Sequence, residues 1–122
     1  MKNDKQIIVS DARPLAQYKW GADCDAYVLV DEPTLNVKLE QMPCGACETV
    51  HFHQRSQQFF YVLAGEASME IAGKALQLRK SEGVLVEAGA RHRICNHGTE
   101  PLRFVVTSQP AVGQDRVELN RN

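Results

Sequence analysis

Apolar and polar residues alternate one by one over several short stretches of this chain, and a period of two admits half-buried strands rather than helices. Leu35, Val37 and Leu39 alternate with Asn36, Lys38 and Glu40; Ala67, Met69 and Ile71 alternate with Glu66, Ser68 and Glu70; Leu76 and Leu78 alternate with Gln77 and Arg79. Punctuation is frequent: Pro33, Pro43, Gly45, Gly65, Gly73, Gly83, Gly89, Gly98 and Pro101. Ala72-Gly73-Lys74 joins two alternating runs and reads as a tight hairpin. The denser apolar runs 59–63, 84–86 and 102–106 read as strands buried on both faces. No stretch offers an amphipathic helix, and 12–20, with Leu15, Ala16 and Tyr18 but no clean stripe, reads as irregular chain or a single turn. The expected fold is therefore all-β: about ten short antiparallel strands forming a single-domain sandwich or barrel, whose closure removes exposed edges. A strand at 5–10, around Ile7-Ile8-Val9, and the tail 111–122 are the peripheral segments, and either can pair with a second subunit. A homodimer is expected.

At 122 residues there is one domain with room for a core. Fourteen Lys and Arg against fifteen Asp and Glu give a net charge of −1, so no charge excess points to nucleic acid or an acidic membrane, and Arg91-His92-Arg93 is too short for a basic patch. No run approaches the roughly 18 apolar residues of a membrane helix. The N-terminal residues lead into only three apolar ones, with no sign of a signal peptide, so a cytoplasmic protein is expected. Cys24, Cys44, Cys47 and Cys95 are irregularly spaced and read as thiols. Cys44-Gly45-Ala46-Cys47 matches CxxC, but without a second CxxC or a βαβ pattern it reads as a turn between strands.

His51-Phe52-His53 carries the chemistry. In a strand the two imidazoles share one face and Phe52 points away, so they are two metal ligands if that face lines a cavity. Gln58 follows, and His92-Arg93-Ile94-Cys95-Asn96 supplies a third histidine in another strand-like run. Three neutral imidazoles suit a divalent transition metal (zinc, nickel, iron or manganese) and leave positions for a ligand. Strand parity puts Phe60 and Val62 on the face of Gln58, and Thr49 on that of His51 and His53, with Met69 and Ile71, or Leu76 and Leu78, as a wall. Cys95, of opposite parity to His92, points away as a packed thiol. His97, in Asn96-His97-Gly98-Thr99, reads as an exposed turn residue, and Asn96 as fixing that turn through its side chain. Tyr61 as proton donor, Glu87 as base and Arg116 as anion clamp are catalytic candidates without a spacing argument; a solvated strand-end Glu is the simpler reading of Glu87.

The spacings join into a larger pattern: Gly45, five residues, His51-x-His53, four residues, Gln58, six residues, Gly65, and later Ser81, five residues, Glu87-x-Gly89, two residues, His92, three residues, Asn96. This resembles the two motifs of the cupin superfamily, over 42–106. The resemblance implies a small jelly-roll barrel holding a metal on His51, His53, Gln58 and His92. Three positions depart from it: Gln58 stands where the family has a ligand Glu, Glu87 where it has Pro, and Ser81 where it has the opening Gly. A Gln carbonyl leaves the site charge of a divalent ion at +2 where a carboxylate would reduce it, so metal is held less tightly and an anionic or enolate ligand is favoured. Alternatively, Gln58 stays off the metal and bonds a ligand.

Some sugar-acid-converting cupins use a His-His-Gln-His set. The resemblance, with Gln58, thus implies a metal-dependent enzyme that isomerises, cyclises or eliminates on a small oxygen-rich molecule. A non-haem iron dioxygenase is the runner-up. A barrel that binds a small molecule without catalysis ranks third, since no residues remain for a DNA-binding domain.

Overall fold

The computed structural model describes residues 6–119. Eleven strands form two antiparallel sheets among them. The larger sheet runs β1 (Ala16–Trp20), β2 (Cys24–Glu32), β3 (Leu35–Met42), β10 (Leu102–Gln109), β5 (Gln57–Ala64), β8 (Gly83–Val86). The smaller runs β11 (Arg116–Glu118), β4 (His51–His53), β9 (His92–Cys95), β6 (Ala67–Ile71), β7 (Lys74–Leu78). This is the expected all-β jelly roll, as two sheets that keep their edge strands.

Alternation sets which side chains enter the space between the sheets. Phe60 and Val62 from β5, Leu102, Phe104 and Val106 from β10, Met42 from β3, and Met69 and Ile94 from the smaller sheet form a buried apolar cluster. The inward row of β5 reads Gln58, Phe60, Val62, and its partner β10 reads Ser108, Val106, Phe104. The interior is therefore apolar at one end and polar at the other. The Ala72-Gly73 turn between β6 and β7 has φ of 51° and 82°, the paired positive values of a tight hairpin. Ser81, which replaces the family's opening glycine, has a φ of 70°, a left-handed conformation that glycine adopts more easily.

Several expectations change. Residues 6–10 are not a strand; Ile8 is 82% exposed, and the first residue of the expected 5–10 strand lies outside the described residues. The segment 12–20 ends in β1, an edge strand so exposed that it shows no alternation and is held by its ladder to β2. The run 59–63 is not buried on both faces: Phe59 and Tyr61 are 42% and 36% exposed on the outer face of the larger sheet, while Phe60 and Val62 are buried. Likewise, only Val86 of 84–86 is buried, and β10 alternates between buried and half-buried residues. The tail 111–122, described up to Leu119, is not peripheral: β11 pairs with β4 across both site histidines. Cys47 and Cys95 are not thiols but a disulfide, because residue 47 faces residue 95 across an antiparallel bridge, which spacing along 48 residues does not reveal. Cys24 and Cys44 are free, and Cys44 sits in the expected turn.

Candidate metal centre

The polar end of the interior holds three histidines. His51 and His53 enter from β4 and His92 from β9, all buried, and one ring nitrogen of each lies within 4.8 Å of the others. Their Nδ1 atoms face acceptors: the Thr49 carbonyl at 2.8 Å for His51, the Asp115 carboxylate at 2.9 Å for His53, and the Ala90 carbonyl at 2.9 Å for His92. Carbonyls and carboxylates only accept, so each Nδ1 carries the proton and each Nε2 presents a lone pair. His53 Nε2 is buried and makes no hydrogen bond among the described residues. Burial lowers the pKa of all three rings, that of His51 to about 3, so all three are neutral at neutral pH.

Gln58 stands beside them. Its amide donates to Ser108 Oγ at 3.0 Å, which turns Oε1 toward His92 Nε2 at 3.2 Å. With the proton on Nδ1 of His92, two lone pairs face one another there, an arrangement that a cation between them would relieve. The donor set of three imidazole nitrogens and one amide oxygen thus fits a divalent transition metal.

Sequence reading missed Asp115. Burial works against its charge, but N–H groups of Arg55, His53 and Ser56, the two backbone ones at 3.0 and 2.8 Å, hold its pKa below the usual carboxylate value. It thereby fixes the tautomer of His53, 62 residues away in sequence.

His51, His53 and Gln58 line a cavity of about 410 Å³, together with Glu40, Glu48, Trp20, Phe60, Val106 and Arg116; His92 lies behind them against Gln58. Trp20 Nε1 is a buried donor with no partner among the described residues. The expected wall of Met69 and Ile71, or Leu76 and Leu78, is replaced by Trp20, Phe60, Val106 and Val112; Met69 and Leu78 pack the apolar core instead, and Leu76 faces out. Thr49 lines the cavity with His51 and His53, as parity required. Of the three catalytic candidates only Arg116 reaches the cavity, where its Nη1 lies 4.0 Å from Glu48. Tyr61 stacks on Phe59 outside the sheet, and Glu87 is exposed on the turn after β8. His97 is exposed, and Asn96 fixes its turn by donating to the carbonyls of Met42 and Glu100 and accepting from Gly98 N–H.

Two carboxyl groups of the cavity wall, Glu40 buried and Glu48 half-buried, also went unread. Burial, and then the neighbouring Glu48, raises the pKa of Glu40 to about 8; burial raises that of Glu48 to about 7. Between pH 4.5, where Glu40 ionises in the unfolded chain, and about 8, the folded protein keeps a proton that the unfolded chain releases, so stability falls as pH rises. Glu40→Gln removes this loss. In thermal melts the variant should gain on wild type steadily between those pH values, by about 2 kcal/mol at the upper end after allowance for relaxation around a cavity-facing group.

A profile of the Cupin domain family matches residues 38–108, more than half of the chain. The chain is a cupin. Over 66 residues this cupin is 33% identical to "Tetracenomycin polyketide synthase protein TcmJ" of Streptomyces glaucescens, covering 54% of the chain and 44% of that protein. It thus spans less than half the length of this relative. Among solved structures, it superposes on the polyketide cyclase RemF from Streptomyces resistomycificus with a TM-score of 0.79 at 13% identity, covering 97% of the chain and 88% of RemF. A predicted oxalate decarboxylase from Thermotoga maritima gives a TM-score of 0.77 at 16% identity, covering 86% of the chain and all of that one. At these identities the structural likeness speaks for the fold alone.

Proposed function

We propose that this cupin is a metal-dependent enzyme that isomerises, cyclises or eliminates on a small, oxygen-rich carbonyl compound. The observation that carries the reading is the set of three clustered imidazoles locked by Thr49, Asp115 and Ala90 with their Nε2 atoms free of the proton, two of them, His51 and His53, on the wall of a cavity. His51, His53 and His92 would hold the ion, with Gln58 as fourth ligand. When bound, a divalent ion supplies Lewis acidity toward a carbonyl oxygen. The chain's own residues do the rest. Arg116 and Lys38 offer positive charge to an anionic group, and Trp20 Nε1 offers a hydrogen bond to an oxygen. Phe60, Val106 and Val112 exclude water from one side. A cavity near 410 Å³ is the size of a small organic ligand. Cyclisation draws further support from a relative named as a polyketide synthase protein.

The test begins with elemental analysis of untagged wild type beside His51→Ala, followed by anaerobic incubation of zinc-loaded protein with sugar-acid and polyketone probes. Stoichiometric metal lost in the variant, and conversion by the zinc form, support the reading. Conversion only with iron and consumption of oxygen overturns it in favour of a dioxygenase, and recovery of unchanged metabolite from the loaded protein favours a binding role. Asp115→Asn, which cannot accept from His53 and both backbone N–H groups as a carboxylate does, should weaken zinc binding about 10–100-fold in competition with a chromogenic chelator.

We also propose a homodimer. Phe59, Tyr61, Leu63 and Leu85 are exposed together on the outer face of β5 and β8, an apolar surface that a second copy can cover. Light scattering should give twice the chain mass for wild type and a monomer for Tyr61→Glu; a monomeric wild type overturns this.

A further inference from the structure

The larger sheet places in the cavity a carboxyl group that the fold leaves unexplained. Glu40 is 8% exposed, enters from β3 beside Lys38, and makes no hydrogen bond among the described residues. Burying a carboxyl without a partner is unfavourable, and Asp115 shows the usual remedy, with both oxygens engaged. Glu48, in the same cavity, is tethered: one oxygen accepts from Ile94 N–H at 3.2 Å and the other lies 4.0 Å from Arg116. Glu40 alone is untethered, on the sheet opposite β4. A ligand held between the sheets therefore meets the histidines on one side and Glu40 on the other.

We propose that Glu40 is the catalytic residue that carries protons to and from the substrate, that Glu48 is the positioning residue beside it, and that the substrate is a small carboxylate with a removable hydrogen on the carbon next to a carbonyl. This rests on the metal-enzyme reading above and names the substrate class of that same cavity. Arg116 and Lys38 supply the positive charge that a carboxylate needs. In the step, an ionised oxygen of Glu40 takes the proton from that carbon. The C–H electron pair forms a carbon–carbon double bond, and the carbonyl π pair moves to the carbonyl oxygen. As the oxygen pair re-forms the carbonyl, the double-bond pair takes the proton back at the same carbon, and delivery to its other face completes an isomerisation by epimerising that carbon. Expelling a leaving group from the next carbon, with the proton following it, completes an elimination. No electrons are gained or lost overall. Burial and Glu48 hold Glu40 basic enough for this near neutral pH, while Lys38 and Arg116 keep an ionised fraction.

Pyruvate in D₂O is the probe, with zinc-loaded full-length protein and loss of the methyl proton signal as readout. Glu40→Gln should slow exchange by at least about 100-fold, while zinc content stays stoichiometric and the pyruvate Kd changes by less than about threefold. Glu40→Asp should restore part of the rate, and Glu48→Gln should move the pH midpoint of exchange downward, because it removes a negative neighbour. Equal rates for wild type and Glu40→Gln, loss of zinc together with exchange in Glu40→Gln, or no exchange by zinc-bound wild type each overturns the proposal. Wild type that binds no zinc overturns the metal-centre reading instead. Glu40 is then judged by pyruvate binding to the metal-free chain. Binding that weakens between about pH 6 and pH 9 in wild type but not in Glu40→Gln places Glu40 against the ligand, and an unchanged profile in both rejects it.

Discussion

His53→Ala is expected to be purified without metal under conditions in which wild type carries one ion per chain, and to be less stable than His51→Ala, which loses the metal equally. Losing a group that merely orients a ligand weakens binding about 10–100-fold, and losing the ligand itself weakens it more. The two variants part in stability because the groups they strand differ. His51→Ala leaves only the Thr49 carbonyl without its ring donor, a change of about 1–2 kcal/mol. His53→Ala strands the buried carboxylate of Asp115 with two backbone N–H groups in place of three donors, and about 3 kcal/mol is expected. Elemental analysis reads the first effect and urea unfolding of the metal-free proteins the second. Equal stability of the two variants would mean that Asp115 is not the acceptor for His53.

Gly65→Ala is expected to destabilise the protein by at least about 3 kcal/mol, against about 1 kcal/mol for Gly73→Ala. The two glycines have nearly the same backbone, with φ of 80° and 82°, so an added Cβ meets the same local strain at each. Their surroundings differ. At Gly65 the Cβ would stand 2.7 Å from the Pro101 carbonyl oxygen and 3.1 Å from Leu102 Cα, whereas at Gly73 nothing lies within 4 Å. The obstruction is the backbone that starts β10, the strand ladder-bonded to both β3 and β5, so it cannot yield without disturbing the centre of the larger sheet. Chemical denaturation of both variants measures the difference directly, and similar values would show that the start of β10 is free to move.

What the sequence made legible follows from the range over which each signal acts. Strand parity is local, and it put His51 and His53 on one face and Phe60 and Val62 with Gln58. The motif spacings added His92 across the smaller sheet. Asp115 carries no such signal, since only the pairing of β11 with β4 brings it to His53. Glu40 was hidden by its own alternation. Leu35, Val37 and Leu39 look like the inward row of β3, yet Lys38 and Glu40 face the cavity while Leu39, itself buried, lies beside Tyr27 and Val105 on the other side of the sheet. A polar row reads as solvent-facing in a sequence whether water or an internal cavity lies beyond it. The same ambiguity made 59–63 look buried on both sides, and it hid β1, which has almost no buried row to display.

The pairing of β11 with β4 also sets when the centre can exist during synthesis. His51 and His53 leave the ribosome first, and the carboxylate that selects the Nδ1-protonated tautomer of His53 emerges 62 residues later. A nascent chain with every ring ligand already outside the tunnel still lacks that anchor. Capture of metal with full affinity would therefore be confined to chains that have been translated past Asp115, and products that stop before it would have little means of competing for the ion.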